Sequence, residues 1–104
     1  MKQETIIAAM KKVLSLHLPK DGEAFLYGSR ARGDARPDSD WDILILLNKA
    51  NLEMSDYSDI SYPLTELGCD IGETINPMLY TKTEWDRYSF TPFYKNVRQE
   101  GIRL

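Results

Sequence analysis

A chain of 104 residues can build one hydrophobic core but not two, so a single domain spanning residues 1–104 is expected. The formal charge of −3 disfavours general DNA or RNA binding, which calls for a basic surface. A lone cysteine, Cys69, excludes an internal disulfide and fits a reducing cytoplasm; with a lone histidine, His17, it also excludes a self-contained zinc site.

In residues 3–17, Ile6, Ile7, Met10, Val13 and Leu14 recur at helical spacing and define one apolar face. The stretch lacks the layout of a signal peptide, and no apolar run in the chain approaches the roughly 18 residues of a membrane span. His17 falls at the end of this helix, where a cation suits the dipole. Pro19 and Asp21-Gly22 then supply turn chemistry. Residues 24–27 read as a short buried strand running into Gly28. Residues 41–47, WDILILL, are apolar at both parities, which predicts a central strand covered on both faces. Leu52, Tyr57, Ile60, Leu64 and Leu67 predict a helix over 52–67 that stops at Gly68, although Pro63 inside it costs about 3 kcal/mol or kinks it. Residues 71–81 predict a strand, and Pro77 assigns it to an edge or a bulge. Trp85 and residues 90–100 predict one or two short helices. Their aromatics, Trp85, Phe90, Phe93 and Tyr94, read as core, and Lys95, Arg98 and Arg103 as a solvated basic flank. This alternation of helices and strands predicts an α/β sandwich.

The densest chemistry lies in GSRARGDARPDSDWD, residues 28–42. Side chains alternate along a strand, so Asp40 and Asp42 point the same way with Cα atoms about 6.6–6.8 Å apart, while Trp41 faces the core. Two carboxylates converging to about 4 Å repel by roughly 4 kcal/mol at an effective dielectric near 20, so a cation belongs between them. Hard divalent cations take oxygen ligands and retain substrate phosphates, and two of them can clamp an in-line phosphoryl or nucleotidyl displacement. Gly28 permits a close backbone approach or a positive φ. Ser29 is placed to cap a helical turn over residues 30–33, whose N-terminus suits phosphate. Arg30, Arg32 and Arg36 can pair with phosphate or with neighbouring carboxylates, Asp34 and Asp38 among them.

Gly28-Ser29, ten intervening residues and Asp40-x-Asp42 before an apolar run resemble the signature of the DNA polymerase beta-like nucleotidyltransferases. The full string GSRARGDARPDSDWDILIL looks like their small branch, the minimal nucleotidyltransferases. The resemblance implies an α/β chain of the α+β type, a mixed β-sheet with helices packed on it. It implies that Gly28 and Ser29, with Arg30 and Arg32, bind the triphosphate of ATP or another NTP, and that Asp40 and Asp42 bind two Mg²⁺ ions. A nucleoside monophosphate, commonly AMP, would pass to a hydroxyl acceptor. The resemblance further implies a HEPN-domain toxin as partner, neutralised by AMP transfer to a tyrosine; a homo-oligomer is the other expected assembly. Relatives of this kind carry a third carboxylate on a later strand as general base. Here Asn76 or Pro77 sits where that acid is sought, and Asp70 and Glu73 are the nearby candidates. Two other readings follow from that departure: a catalytically weak nucleotide-binding module that inhibits its partner by contact, and a small-molecule nucleotidyltransferase of the aminoglycoside type.

Overall fold

The computed structural model describes residues 1–104. Its elements are α1 (Gln3–His17), β1 (Glu23–Tyr27), α2 (Ser29–Arg32), β2 (Trp41–Leu47), α3 (Met54–Asp56), a π-helical turn (Tyr57–Ser61), α4 (Tyr62–Ile71), β3 (Ile75–Thr81), α5 (Lys82–Arg87), α6 (Pro92–Glu100) and β4 (Ile102–Arg103). The strands form one mixed sheet in the order β3-β2-β1-β4. β2 runs parallel to β3, and β1 runs antiparallel to both β2 and β4. The expected mixed sheet with helices packed on it is therefore the observed architecture. No helix is long and apolar enough to cross a membrane.

β2 is the central strand, as its apolar run predicts. Trp41, Ile43, Ile45 and Leu47 point to one face, where they pack with Ile6, Met10 and Leu14 of α1 and with Ile60 and Leu64. Leu44 and Leu46 point to the other face and meet Trp85 of α5 and Val97 of α6. Each such large side chain contributes about 1.5–3 kcal/mol on burial. Residues with both parities buried leave β2 no solvent face, which fixes its register against slippage.

Three local expectations are corrected. The helix expected over 52–67 extends to Ile71 and is interrupted by the π turn just before Pro63. Tyr62 donates its backbone N–H to the Tyr57 carbonyl, five residues back. A proline ring clashes with the carbonyl four residues before it, and the widened turn makes room for Pro63 without ending the helix. Gly68 is not the stop: a Cβ there would lie 2.6 Å from the Glu73 carbonyl, so the glycine serves close packing. Gly72, at φ 74°, ends the helix in the left-handed conformation instead. The strand expected over 71–81 consequently starts at Ile75, and β3 is an edge strand, where Pro77 loses no ladder bond on the open side. β4 escapes sequence reading because two exposed residues show no periodicity.

The C-terminal half is capped by its own sequence. Thr81 Oγ1 accepts from the Glu84 N–H at 3.0 Å while Glu84 Oε1 accepts from the Thr81 N–H at 2.9 Å. This capping box satisfies Thr81, the one buried polar residue of the core, and starts α5. Thr91 Oγ1 likewise accepts from the Tyr94 N–H at 3.2 Å, with Pro92 next to it at the start of α6.

Candidate active site

Asp42 opens β2 on the Leu44 face, paired across the sheet with Tyr27 of β1 and Asn76 of β3. These three side chains stand abreast, since directly paired residues share a face. Asp40 joins them one step before the strand. Asn76 Nδ2 lies 2.9 Å from Asp40 Oδ2 and 3.5 Å from Asp42 Oδ1, so the two carboxylates converge on one amide. The same-face expectation for Asp40 and Asp42 thus holds. Asp40 is exposed and Asp42 half-buried, leaving the pair open to a ligand.

The turn after β1 reaches the same spot. Gly28 has φ 77° and ψ −159°, a conformation only glycine adopts readily, and a Cβ there would lie 2.6 Å from Asp42 Oδ2. The Asp42 carboxylate therefore occupies the space a side chain at position 28 would fill. Ser29 is not the cap of the following turn: Gly28 is the cap, and Ser29 is the first residue of α2. The chain leaves β1, turns over the Asp42 carboxylate and enters a short helix whose N-terminus begins beside the aspartates.

Arg30 and Glu73 belong to the opposite face. The Arg30 guanidinium lies 4.5 Å from the centroid of the Trp41 ring and donates to the Ser39 carbonyl at 2.9 and 3.3 Å and to the Pro37 carbonyl at 3.2 Å. Glu73 Oε1 accepts from the Trp41 indole N–H at 2.8 Å and stands 3.6 Å from Arg30 Nη2. The Arg30 side chain is thereby only 11% exposed, and its donors are spent on the loop leading to Asp40. Glu73 is spent on the same clamp and does not reach the carboxylate pair. Asp70, expected at a strand start, is an exposed residue in the last turn of α4, on the Trp41 side of the sheet. Neither acid supplies a third carboxylate; at that corner stands Asn76. Arg32 is about half-exposed and ion-paired with Asp34 at 3.1 Å and Glu100 at 3.2 Å, which ties α2 to the end of α6.

Tyr27 is the site residue that sequence reading passed over. Burial, then the Asp42 charge and Tyr80, push its hydroxyl up to about 12. The phenol therefore keeps its proton at neutral pH, and its ring is held edge-on by Phe93 at 5.4 Å. Tyr27 and Asp42 are directly paired in the antiparallel β1–β2 ladder, but residues 28–40 separate the strands, so naming them as neighbours needs the register. A hollow of about 360 Å³ between the sheet and α5–α6, floored by Phe25, Leu44 and Leu46, lies further along the same face and includes none of these residues.

The donor set suits a hard divalent cation. Two convergent carboxylates offer oxygen ligands, and the glycine turn lets the Asp42 carboxylate sit directly against the backbone. The one group bridging the aspartates is neutral, so no cationic side chain offsets the pair.

The chain matches the family model of the nucleotidyltransferase domain over residues 7–98. Among solved structures, one inferred to be a minimal nucleotidyltransferase is 28% identical, with a TM-score of 0.67 over 100% of this chain and 97% of that one. A toxin–antitoxin complex with AMP-PNP is 20% identical, with a TM-score of 0.61 over 99% of this chain and 72% of the other. A mutant of the toxin–antitoxin MntA–HpeT is 18% identical, with a TM-score of 0.61 over the same 99% and 72%. The latter two share the fold. A search among curated proteins finds no match to the sequence.

Proposed function

The chain belongs to the nucleotidyltransferase domain family, and on that premise we propose that it transfers a nucleoside monophosphate from ATP or another NTP to a hydroxyl acceptor. One observation carries this reading: the Asp40–Asp42 pair converges directly against the Gly28–Ser29 turn. A triphosphate lying along that turn meets backbone N–H groups at the start of α2 and places its α-phosphorus beside the two carboxylates. Asp40 and Asp42 would hold Mg²⁺, which neutralises phosphate charge and makes pyrophosphate a better leaving group. The Tyr27 hydroxyl, a donor at neutral pH, is placed to hold an anionic or hydroxyl oxygen of the nucleotide near Asp42.

Each residue of the motif has a distinct task in this reading. Gly28 admits the Asp42 carboxylate to the space a side chain would fill. Ser29 begins the phosphate-facing turn. Arg30 positions: it holds the Pro37 and Ser39 carbonyls and so fixes the approach to Asp40. Arg32, half-exposed, could leave its ion pairs to meet a phosphate, and the exposed Arg36 carries no ion pair. The acceptor we infer is a tyrosine hydroxyl of a HEPN-domain toxin, with the chain as antitoxin; the likeness to two toxin–antitoxin structures supports a toxin partner.

The test is incubation with labelled ATP, CTP, GTP or UTP and Mg²⁺, with and without the protein encoded beside it. Label moves onto the partner with the wild-type chain and not with Asp40→Asn, Asp42→Asn. A second reading draws on Asn76: without a third carboxylate, the site can bind nucleotide with little turnover and neutralise the partner by contact. In that case tight partner binding persists, no label moves, and neutralisation survives the double substitution.

A further inference from the structure

The hollow of about 360 Å³ under α5 and α6 takes no part in the nucleotide reading, and its size falls in the range of small-molecule sites. Two rings form its wall: the centroids of Trp85 and Tyr94 lie 4.8 Å apart, with the planes inclined by 35°. Trp85 is only 5% exposed, yet its indole N–H is unspent. The Trp41 indole donates to Glu73; that of Trp85 donates to no group of the chain and is not sealed from solvent. A tryptophan this deep ordinarily has a partner for that donor. Four charged residues border the hollow: Glu23, Lys82, Asp86 and Arg98. Glu23 is engaged by Lys82 at 3.8 Å and by Arg103 at 3.1 Å. Asp86 and Arg98 have no ionic partner. Arg98 donates to the Tyr94 hydroxyl at 3.0 Å and lies over that ring, while Asp86 directly follows Trp85. One unspent cation and one unspent anion thus flank the pair of rings.

We propose that this hollow binds a small aromatic zwitterion, with the chemistry of an aromatic amino acid. Its ring would lie over Leu44 and Leu46 against Trp85, its carboxylate on the Arg98 fork and its ammonium on Asp86. The charges at the mouth decide the class. Two acids and two bases sum to zero, so a polyanion such as a triphosphate meets no net attraction there. An uncharged ring would leave Asp86 and Arg98 as they are, whereas a zwitterion engages both. The apolar lining supplies affinity, and the two charged ends fix orientation. The proposal goes beyond nucleotidyl transfer and does not rest on it: no residue of the hollow belongs to the Asp40–Asp42 site.

The test is titration of the full, isotope-labelled chain with L-phenylalanine, read from the indole N–H resonances of its two tryptophans. That of Trp85 should move, and that of Trp41, on the other face of the sheet, should not. Phenethylamine, which lacks the carboxylate, and hydrocinnamate, which lacks the ammonium, should each bind about ten-fold more weakly, the scale of one charge-assisted hydrogen bond. Arg98→Gln and Asp86→Asn alter exposed side chains and leave the core intact. Arg98→Gln should weaken L-phenylalanine about ten-fold and leave phenethylamine unchanged. Asp86→Asn should weaken L-phenylalanine to the same degree and leave hydrocinnamate unchanged. A Trp85 resonance that stays still, equal binding of the three probes, or variants that weaken every probe alike overturns the proposal. So does a Trp85 resonance that moves only with the partner protein, which would make the hollow a protein interface. Transfer of labelled nucleotide is scored separately, so the failure of either reading leaves the other standing.

Discussion

Trp41 and Asp42 are consecutive residues, and their two surroundings differ in kind. On the Trp41 side, cation, anion and aromatic ring are matched: Arg30 stacks on Trp41, Glu73 accepts from the indole, and Arg30 closes the loop onto two carbonyls. On the Asp42 side, two like charges meet over a neutral amide, beside a phenol that stays neutral. Matched polar groups around a buried ring stabilise; unmatched carboxylates do not, and their cost is tolerated where a ligand will offset it. One strand thus carries a clamp on one face and the proposed ligand site on the other, and the clamp fixes the backbone from which Asp40 projects.

The largest effect should come from removing charge on the site side. Asp40→Asn with Asp42→Asn should lower transfer by about 10²–10³-fold or more, the scale of losing preorganised charge stabilisation. Thermal stability should stay level or rise, because a repulsion disappears. A double variant that melts well below wild type would mean the aspartates hold the fold together, and the contrast between the two faces would collapse.

Removing charge on the clamp side should act the other way. Arg30→Ala loses the stacking on Trp41 and three hydrogen bonds, at a cost of about 2 kcal/mol, or roughly 8–16 °C in Tm for a domain of this size. Arg30→Lys should recover little, since an ammonium cannot reproduce the planar fork. Thermal melts with parallel kinetics decide the matter. A variant of normal Tm whose only defect is a raised KM for the triphosphate would return Arg30 to phosphate binding, the role the motif implies.

Gly28→Ala tests the joint between the two faces. The substitution forces a side chain into φ 77° and drives its Cβ against Asp42 Oδ2. Strain of this type costs about 1–3 kcal/mol. Nucleotide affinity should fall along with stability, because Asp42 must move. If affinity holds while stability drops, the turn and the carboxylate are independent, and the shared space between them has no function.

The difference between the faces also marks what sequence could and could not disclose. β2 was legible because both parities are apolar, and the Gly28-Ser29 and Asp40-x-Asp42 elements because each is local. Arg30 misled because an arginine beside a phosphate turn and an arginine capping a tryptophan read alike; only Trp41's inward direction, combined with Glu73 arriving from 32 residues away, tells them apart. Glu73 and Asp70 were sought as a third acid because the start of β3 was placed four residues early. Pro63 and Gly68, two residues that usually break helices, hid a continuous helical run behind a π turn and a packing contact. Asn76 was named only as an obstacle. Its place opposite Asp42 depends on the parallel register, a tertiary fact.

The smallest expected effect is the sharpest probe of the site face at rest. Tyr27 is raised to about 12 by burial first and by Asp42 second, so Asp42→Asn should lower its pKa but leave it above the ordinary value near 10, since burial remains. The sign for stability follows from the neutral phenol being favoured in the folded chain. Its contribution is complete below about pH 10, where the unfolded tyrosine is still protonated, and is lost as pH rises toward 12. In Asp42→Asn that alkaline loss should be smaller and finish at lower pH. Resonances of ring-labelled tyrosine, followed through an alkaline titration, resolve Tyr27 from the other five. An unchanged Tyr27 titration in the variant would mean that the carboxylate and the phenol do not share a face in solution. The row Asn76–Asp42–Tyr27, on which both the cation site and the nucleotide pose depend, would then have to be redrawn.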